Sequence, residues 1–187
     1  MSGFERFNKI LNLFSEKRSS LTVAEISEEL KIPSSTIYRT VREMVLADFL
    51  ESAAGSYFRL GQAFIKFNRI INLSDPLIQA GEPFLKKLAN ENPIPSTNIL
   101  ARLFGDKVMC VADFKYPTFK NNTSYQKGRL MPLLYGATSR AIIMQVKGKR
   151  LSNILNLEGL NDDKQQKIFL NGLDKDKKKG FCKTEGQ

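Results

Sequence analysis

Apolar residues fall into helical register from the start of the chain. Phe4, Phe7, Leu11 and Phe14, with Ile10 beside them, predict an amphipathic first helix ending near residues 15–18. Thr22 and Glu25 have the T-x-x-E spacing of a capping box, in which the hydroxyl takes the Glu25 amide proton and the carboxylate returns to the Thr22 amide. A second helix therefore starts there, burying Val23, Ile26 and Leu30. Pro33 drives Ile32 away from helical angles and ends it, and Ser34 or Ser35 is suited to cap a third. At about 100° per residue, Ile37, Val41, Met44 and Val45 of that third helix share one arc. Ser35, Thr36, Tyr38, Arg39 and Arg42 lie across the other side. Two β-prone runs then flank Ala54 and Gly55, a hairpin whose turn tolerates a positive φ.

Beyond Gly61, Phe64, Phe67 and Ile71 share one helical face while Ile65, Ile70 and Leu73 occupy others, so this helix needs a cover outside its own domain. Asp75 and Pro76 mark the next boundary, followed by a helix with Leu77, Phe84 and Leu88 in register. From Thr97 the period changes to that of strands, and Gly105 with Asp106 joins two of them into an antiparallel hairpin. Residues 116–128 are polar and predict a long loop. The stretch "RLMPLLYGATSRAIIMQV" returns as a short strand feeding a helix from about Ala137. Strands and helices mix without βαβ regularity, so the fold class is α+β, and no internal repeat is seen. The organisation expected is a winged helix-turn-helix at residues 1–60, a linker and dimerisation helix at 61–74, and an α+β domain at 75–187.

Composition narrows the function classes. The chain has 187 residues, 42% of them hydrophobic, enough to build cores. No apolar run approaches the roughly 18 needed to span a bilayer, and the first residues lack the apolar centre of a signal peptide, so a cytoplasmic protein is expected. Cys110 and Cys182 are far apart and the chain has no histidine, which argues against a disulfide framework and a zinc site. Cys110 reads as a small core residue. In this setting the N-x-[ST] matches at Asn121 and Asn122 are chance. The net charge is +10, but residues 1–60 hold eight basic and eight acidic side chains, while the rest holds 21 against 11. Net charge is therefore no argument for nucleic-acid binding by the helical pair, and the arrangement of its side chains must carry that reading. The basic run at 175–179 reads as a solvated face or frayed tail.

On the third helix, arginine can reach guanine bidentately, and hydroxyls can bond phosphates and fix register. Ser34, Ser35, Thr36, Tyr38, Arg39 and Arg42 are the candidate DNA contacts, with Arg59 of the hairpin as a further phosphate contact. An ordinary solvated helix face is the competing explanation; the capped preceding helix, short turn and following hairpin favour the groove.

The same residues carry a resemblance. "LTVAEISEELKIPSSTIYRTVREM", the hairpin end "YFRLG" and "PLIQAGEPFLKKLANEN" followed by "GDKVMCV" resemble, in order, IclR-type transcriptional regulators. The resemblance implies binding of double-stranded operator DNA as a homodimer or tetramer, and a GAF-like C-terminal domain that senses a small molecule, a small organic acid among the possibilities. It also implies that the stretch around "MPLLYGATSRAI" walls an effector pocket, with Leu134, Gly136, Ala137, Thr138 and Ser139 as candidates. Exposed amides at a helix start would suit an anion there; equally, 136–138 simply open a helix. Ser139-Arg140 stands where the family usually has Gly-Lys, which keeps a cation and loses a glycine. The family continues with more strands after a phrase resembling "KKKGFCKTEGQ", so this chain is expected to be a fragment or shortened relative with a partial effector domain, an exposed sheet edge and weak or absent effector affinity.

No G-x-S-x-G, P-loop, metal-ligand spacing or paired acids point to catalysis, and no cofactor, metal or membrane association is expected. Two alternatives stand beside a ligand-sensing regulator: a structural DNA-binding protein whose second domain only oligomerises, and an enzyme with a DNA-binding appendage.

Overall fold

Ser2 opens the first helix by accepting the Glu5 amide on its hydroxyl at 3.1 Å, and α1 then runs Gly3–Leu11. The computed structural model describes residues 2–116 and 125–185. The expected helix to residues 15–18 is not found. Asn12 turns its Nδ2 back onto the Asn8 carbonyl at 2.9 Å and closes the helix, and Leu13 and Phe14 reach the same core from a turn instead.

An unexpected strand follows. β1 (Ser20–Thr22) leads directly into α2 (Val23–Leu30), and the capping box at its start is complete: the Glu25 amide donates to the Thr22 hydroxyl at 3.2 Å and the Thr22 amide donates to Glu25 at 2.7 Å. Lys31 takes left-handed angles, φ 53°, ending α2 without glycine. Ser27 helps hold the turn by donating its hydroxyl to the Ile32 carbonyl at 2.6 Å. The third helix, α3, spans Ser34–Leu46. Neither serine caps it: the Pro33 carbonyl receives the Thr36 and Ile37 amides, and Ser34 instead donates its hydroxyl to Ser27 at 2.9 Å.

Ile37, Val41 and Met44 of α3 are buried, with Ile10, Leu21, Ile26 and Leu50 completing one aliphatic core; Val45 packs at its margin. Thr40 is also buried, a position the helical pattern left unassigned. Its hydroxyl accepts Arg6 Nε at 2.7 Å and donates to the Thr36 carbonyl, so it ties α1 to α3 while satisfying its own polar atom.

The hairpin is β2 (Leu50–Ser52) against β3 (Tyr57–Leu60), turning through Gly55 at φ 69° and Ser56 at φ 62°. With β1 on the other side of β3 the sheet order is β1-β3-β2, antiparallel throughout. Gly61 follows, its amide donating to the Phe49 carbonyl at 2.9 Å. α4 (Ala63–Ser74) starts from the Asp48 carbonyl, which accepts the Ala63 amide at 3.0 Å. Phe49 forms edge contacts with Phe7 and Phe64 and stacks on Phe67, which seats the first turns of α4.

The chain divides after Ser74, and Asp75–Gln187 is a second unit. α5 (Pro76–Glu91) is capped by Asp75, whose Oδ1 accepts the Leu77 and Ile78 amides while Oδ2 holds Arg102 at 2.6 Å. Its buried stripe corrects the expected one: Ile78, Leu85 and Ala89 face the sheet, whereas Leu77, Phe84 and Leu88 are exposed, Phe84 by 67%. The reason is close approach. A Cβ on Gly81 would stand 2.5 Å from Leu100 Cδ2, so the small-residue side of the helix is the one that fits the sheet.

β4 (Thr97–Phe104), β5 (Lys107–Lys115) and β6 (Leu130–Pro132) form an antiparallel sheet in that order. The register jumps between Leu100↔Ala112 and Ala101↔Cys110, leaving Val111 as a bulge. A bulge resets the alternation of side chains. Ala112 therefore packs toward Ile78 and Leu85, while Val108 and Cys110 enter the core on the other face, with Leu133, Leu134, Ile143, Ile154, Leu155 and Leu173. That core is closed by α6 (Ala137–Ile143), α7 (Gly148–Leu157) and α8 (Asp163–Lys179). The basic run at 175–179 is the last turn of α8, sealed by Gly180 at φ 78°, not a frayed tail. Of the expected polar loop, residues 117–124 lie outside the described residues, as do Asn121 and Asn122. Tyr125 leaves that loop for the core. Among the described residues, no helix is long and apolar enough to cross a membrane.

Gly61→Ala tests the junction between hairpin and α4. An added Cβ would lie 2.2 Å from the Asp48 carbonyl oxygen, a backbone atom that already serves Ala63. The substitution is expected to lower unfolding free energy by about 1–3 kcal/mol, read by chemical denaturation.

Candidate nucleic-acid interface and second-unit site

Burial of Ile37, Val41 and Met44 fixes the rotation of α3, and that rotation turns Ser34, Ser35, Tyr38, Arg39 and Arg42 to solvent. Tyr38 is 58% exposed although aromatic. Thr36 is half-buried and its carbonyl is occupied by Thr40. Among the described residues, Arg39 and Arg42 have neither a hydrogen-bond nor an ion-pair partner, so both guanidiniums keep all their donors for an external acceptor. The Ser34 hydroxyl is committed to Ser27 and offers less. Tyr38 and Arg42 also line a cleft of about 210 Å³ with Val41, Val45 and the hairpin residues Ser52 and Phe58. Helix and hairpin thus frame one concave surface.

Arg59 sits on β3, opposite Glu51, and its Nε is paired with that carboxylate. Its charge is partly neutralised, though most of the side chain is exposed. Lys31 is a position that sequence reasoning passed over. It is exposed in the turn just before α3, and among the described residues its ammonium has no partner. The signal was the absence of glycine where a helix must end in left-handed angles.

In the second unit, Leu134 and Ser139 are buried, while Gly136, Ala137 and Thr138 are half-buried at the start of α6. Ser139 donates its hydroxyl to the Pro132 carbonyl at 2.6 Å and shares a 2.8 Å hydrogen bond with the Tyr125 hydroxyl. Tyr125 in turn reaches the Tyr135 carbonyl at 3.3 Å. Gly136, at φ 80°, passes so close that a Cβ would be 3.0 Å from that phenol oxygen. The polar atoms of Ser139 are therefore engaged inside the domain, and Gly136 to Thr138 form its outer edge.

Arg140 is likewise engaged. Its Nε and Nη2 both reach Asp176 Oδ2, at 3.0 and 2.6 Å, and its guanidinium lies 5.6 Å from the Phe169 ring centre. Gly172 allows the approach, since a Cβ there would come within 3.3 Å of Nη2. The Arg140 guanidinium holds the Asp176 carboxyl below its ordinary range. Cys110 is fully buried, and burial pushes its thiol up, away from the thiolate that redox or covalent chemistry requires. Among the described residues no group of three metal-ligating side chains converges.

Residues 5–53 match the model of the IclR helix-turn-helix domain. The chain is 22% identical over 112 residues to the Pca regulon regulatory protein of Pseudomonas putida, covering 60% of this chain and 38% of that one. An IclR transcriptional regulator from Alicyclobacillus acidocaldarius superposes with a TM-score of 0.76 at 20% identity, over 95% of this chain and 73% of that one. An IclR homologue from Microbacterium hydrocarbonoxydans, solved with 4-hydroxybenzoate, superposes with a TM-score of 0.65 at 21% identity, over 83% of this chain and 63% of that one. At these identities the likeness establishes the fold. The chain spans about two fifths of the curated relative's length.

The Arg140–Asp176 pair gives a pH-dependent prediction. A depressed carboxylate stabilises the fold above its ordinary titration range and loses that contribution as pH falls through the depressed value. Asp176→Asn should lower the melting temperature near neutral pH, and the two proteins should converge on acidification. A difference that persisted undiminished in acid would assign the loss to packing instead.

Proposed function

We propose that this chain, whose residues 5–53 are a helix-turn-helix domain of the IclR type, is a sequence-specific DNA-binding transcriptional regulator whose second unit senses a small molecule. The observation that carries the reading is α3: one face sealed in an aliphatic core, the other presenting two unpartnered arginines beside a hairpin. This is the geometry of a recognition helix in the major groove, with Arg39 and Arg42 on base edges and Ser35, Tyr38, Lys31 and Arg59 near phosphates. Thr36 and Ser34 set the helix start against the turn. Such a reader works in the compartment that holds the DNA, in line with the cytoplasmic location expected from the sequence.

For the effector, the half-buried edge formed by Gly136, Ala137 and Thr138 is the proposed contact, with Leu134 and Ser139 as its inner wall. The 4-hydroxybenzoate found in the Microbacterium relative supports a small aromatic acid as the class to test first. Binding would act by changing the balance between states of the paired DNA-reading units.

Pairing is assigned to α4. Ile65, Ile70, Ile71 and Leu73 are all about half exposed or more, with Ile65 at 73%, and they lie around the helix beyond what the Phe49 cluster covers. A second copy of the same helix supplies the missing apolar surface, and a twofold pair of winged domains matches a two-part operator.

Arg39→Ala and Arg42→Ala are each expected to cost about 1–3 kcal/mol in binding to a selected operator at matched salt, with the melting temperature unchanged. Operator affinity equal to the parent's in both would remove α3 from the groove. Ile70→Glu, on a part of α4 outside the Phe49 cluster, should halve the mass measured by light scattering. An unchanged mass would transfer pairing to another surface.

A further inference from the structure

The charge of this protein is in an unexpected place for a DNA reader. Residues 1–60 carry eight basic and eight acidic side chains, whereas residues 75–187 carry 19 basic against 11 acidic. Affinity for duplex DNA comes largely from neutralised phosphates and the counterions they release. A formally neutral winged domain supplies little of that long-range attraction beyond its local contacts.

The second unit concentrates part of its excess on one helix face. α8 buries Leu173, with Phe169 and Leu170 half-buried beside it and Asp176 engaged by Arg140. Opposite that side, Lys164, Lys167, Lys175 and Lys178 fall within an arc of about 80°, at roughly 100° per residue. They extend over about 21 Å at the helical rise, with the neutral Asn171 between them and Ile168 beside them, 65% exposed. All four lysines are exposed, and among the described residues none has an ion-pair or hydrogen-bond partner. Asp163 and Asp174 lie at the margin of the arc and pair with none of them.

Helix stabilisation explains only half of the stripe. Lys178, with Lys177 and Lys179, sits in the last turn, where cations favour the helix dipole. Lys164 sits in the first turn, where the same dipole opposes it, and Lys167 sits just beyond that turn, where the dipole gives it no support. The neighbouring α7 repeats this arrangement: Lys147 precedes it without a side-chain cap, and Lys149 and Arg150 occupy its first turn. The cations at these two helix starts do not stabilise their own helices through the dipole.

We propose that the outer face of α8 is a second, sequence-independent contact for duplex DNA, in which Lys164, Lys167, Lys175 and Lys178 neutralise backbone phosphates. Duplex DNA is chosen over an acidic polypeptide because the chain's own DNA-reading unit lacks net charge, so the inference rests on the DNA-binding reading above. The stripe raises affinity for any sequence; α3 selects among sequences.

The test uses the full chain and three variants: Lys164→Gln, Lys167→Gln, Lys175→Gln and Lys178→Gln combined; the same four positions changed to Arg; and Arg39→Ala with Arg42→Ala. Circular dichroism and melting temperature confirm folding, glutamine being nearly as good a helix former as lysine. Binding to a random-sequence duplex of about 30 base pairs is followed against salt. The glutamine variant should lose about tenfold or more in affinity at low salt, and its log–log salt slope should shrink by about 3.6, near 0.9 for each of the four phosphates no longer neutralised. The arginine set should restore both. The Arg39/Arg42 variant should lose preference for a selected operator over the random duplex while keeping most of the α8-dependent slope. An unchanged slope in the glutamine variant overturns the stripe and leaves α3 standing. A loss of binding to polyglutamate with duplex binding intact also overturns it, in favour of an acidic protein. No duplex affinity in the parent overturns both readings.

Discussion

Everything the first unit does depends on one constraint: Ile37, Val41 and Met44 must leave water together. Each buried side chain of this kind contributes about 1.5–3 kcal/mol, so no other rotation of α3 competes. The core that receives them, built from Ile10, Leu21, Ile26 and Leu50, comes from four different elements, and it sets the angle between α2 and α3. The exposed arginines are a consequence. Arg39 and Arg42 do not hold themselves outward through any contact of their own; the opposite face of the helix holds them. Thr40 adds to the same constraint, since its buried hydroxyl bonds the Thr36 carbonyl within α3 and accepts Arg6 from α1. The unit therefore keeps the side of α3 that holds the core apart from the side that meets solvent, which lets the outer side change without cost to the fold.

The hairpin depends on the same core through a backbone lock. Gly61 and Ala63 take the carbonyls of Phe49 and Asp48, so the chain leaving the wing returns to the end of α3 before α4 begins. Phe49 then touches Phe7, Phe64 and Phe67, linking α1, the wing's entry and α4 through one ring. Packed aromatic contacts thus join the first turns of α4 to α1 through Phe49.

Much of this was legible because it is written in local spacing. The capping box at Thr22 and Glu25, the arc of α3 and the turn at Gly55 each follow from residues within one or two turns of each other, and each is found in place; α2, by contrast, is ended by the left-handed Lys31 rather than by Pro33, which opens α3. What escaped depends on partners distant in sequence. β1 exists only because β3 offers it an edge, and three residues carry no strand period of their own. On α5 two apolar stripes lie side by side, and helical period alone selects Leu77, Phe84 and Leu88; the clearance between Gly81 and Leu100 selects the other. The bulge at Val111 sends neighbouring parts of one strand to opposite faces, which a period of two cannot express. Tyr125 reads as part of a polar loop until Ser139, fourteen residues on, gives its hydroxyl a buried partner. The candidate DNA contacts were thus readable as a face, whereas the surroundings of Ser139 and Arg140 were not.

Those surroundings give the second unit its mechanical character. α6 is only seven residues long, yet it is braced from two sides. Ser139 fastens it to the end of β6 through the Pro132 carbonyl and to Tyr125; Arg140, the next residue, fastens it to α8 through Asp176 and Phe169. Neighbouring residues on a helix point about 100° apart, so these two anchors act in different directions and leave little freedom to rotate. The Arg140 cation is consequently occupied by Asp176, and the half-buried edge of α6 runs from Gly136 to Thr138. A ligand seated there would bear on an element tied at once to the sheet and to α8. A shift of α6 would bear on Asp176 and α8 through the two hydrogen bonds of the part-buried ion pair that joins them.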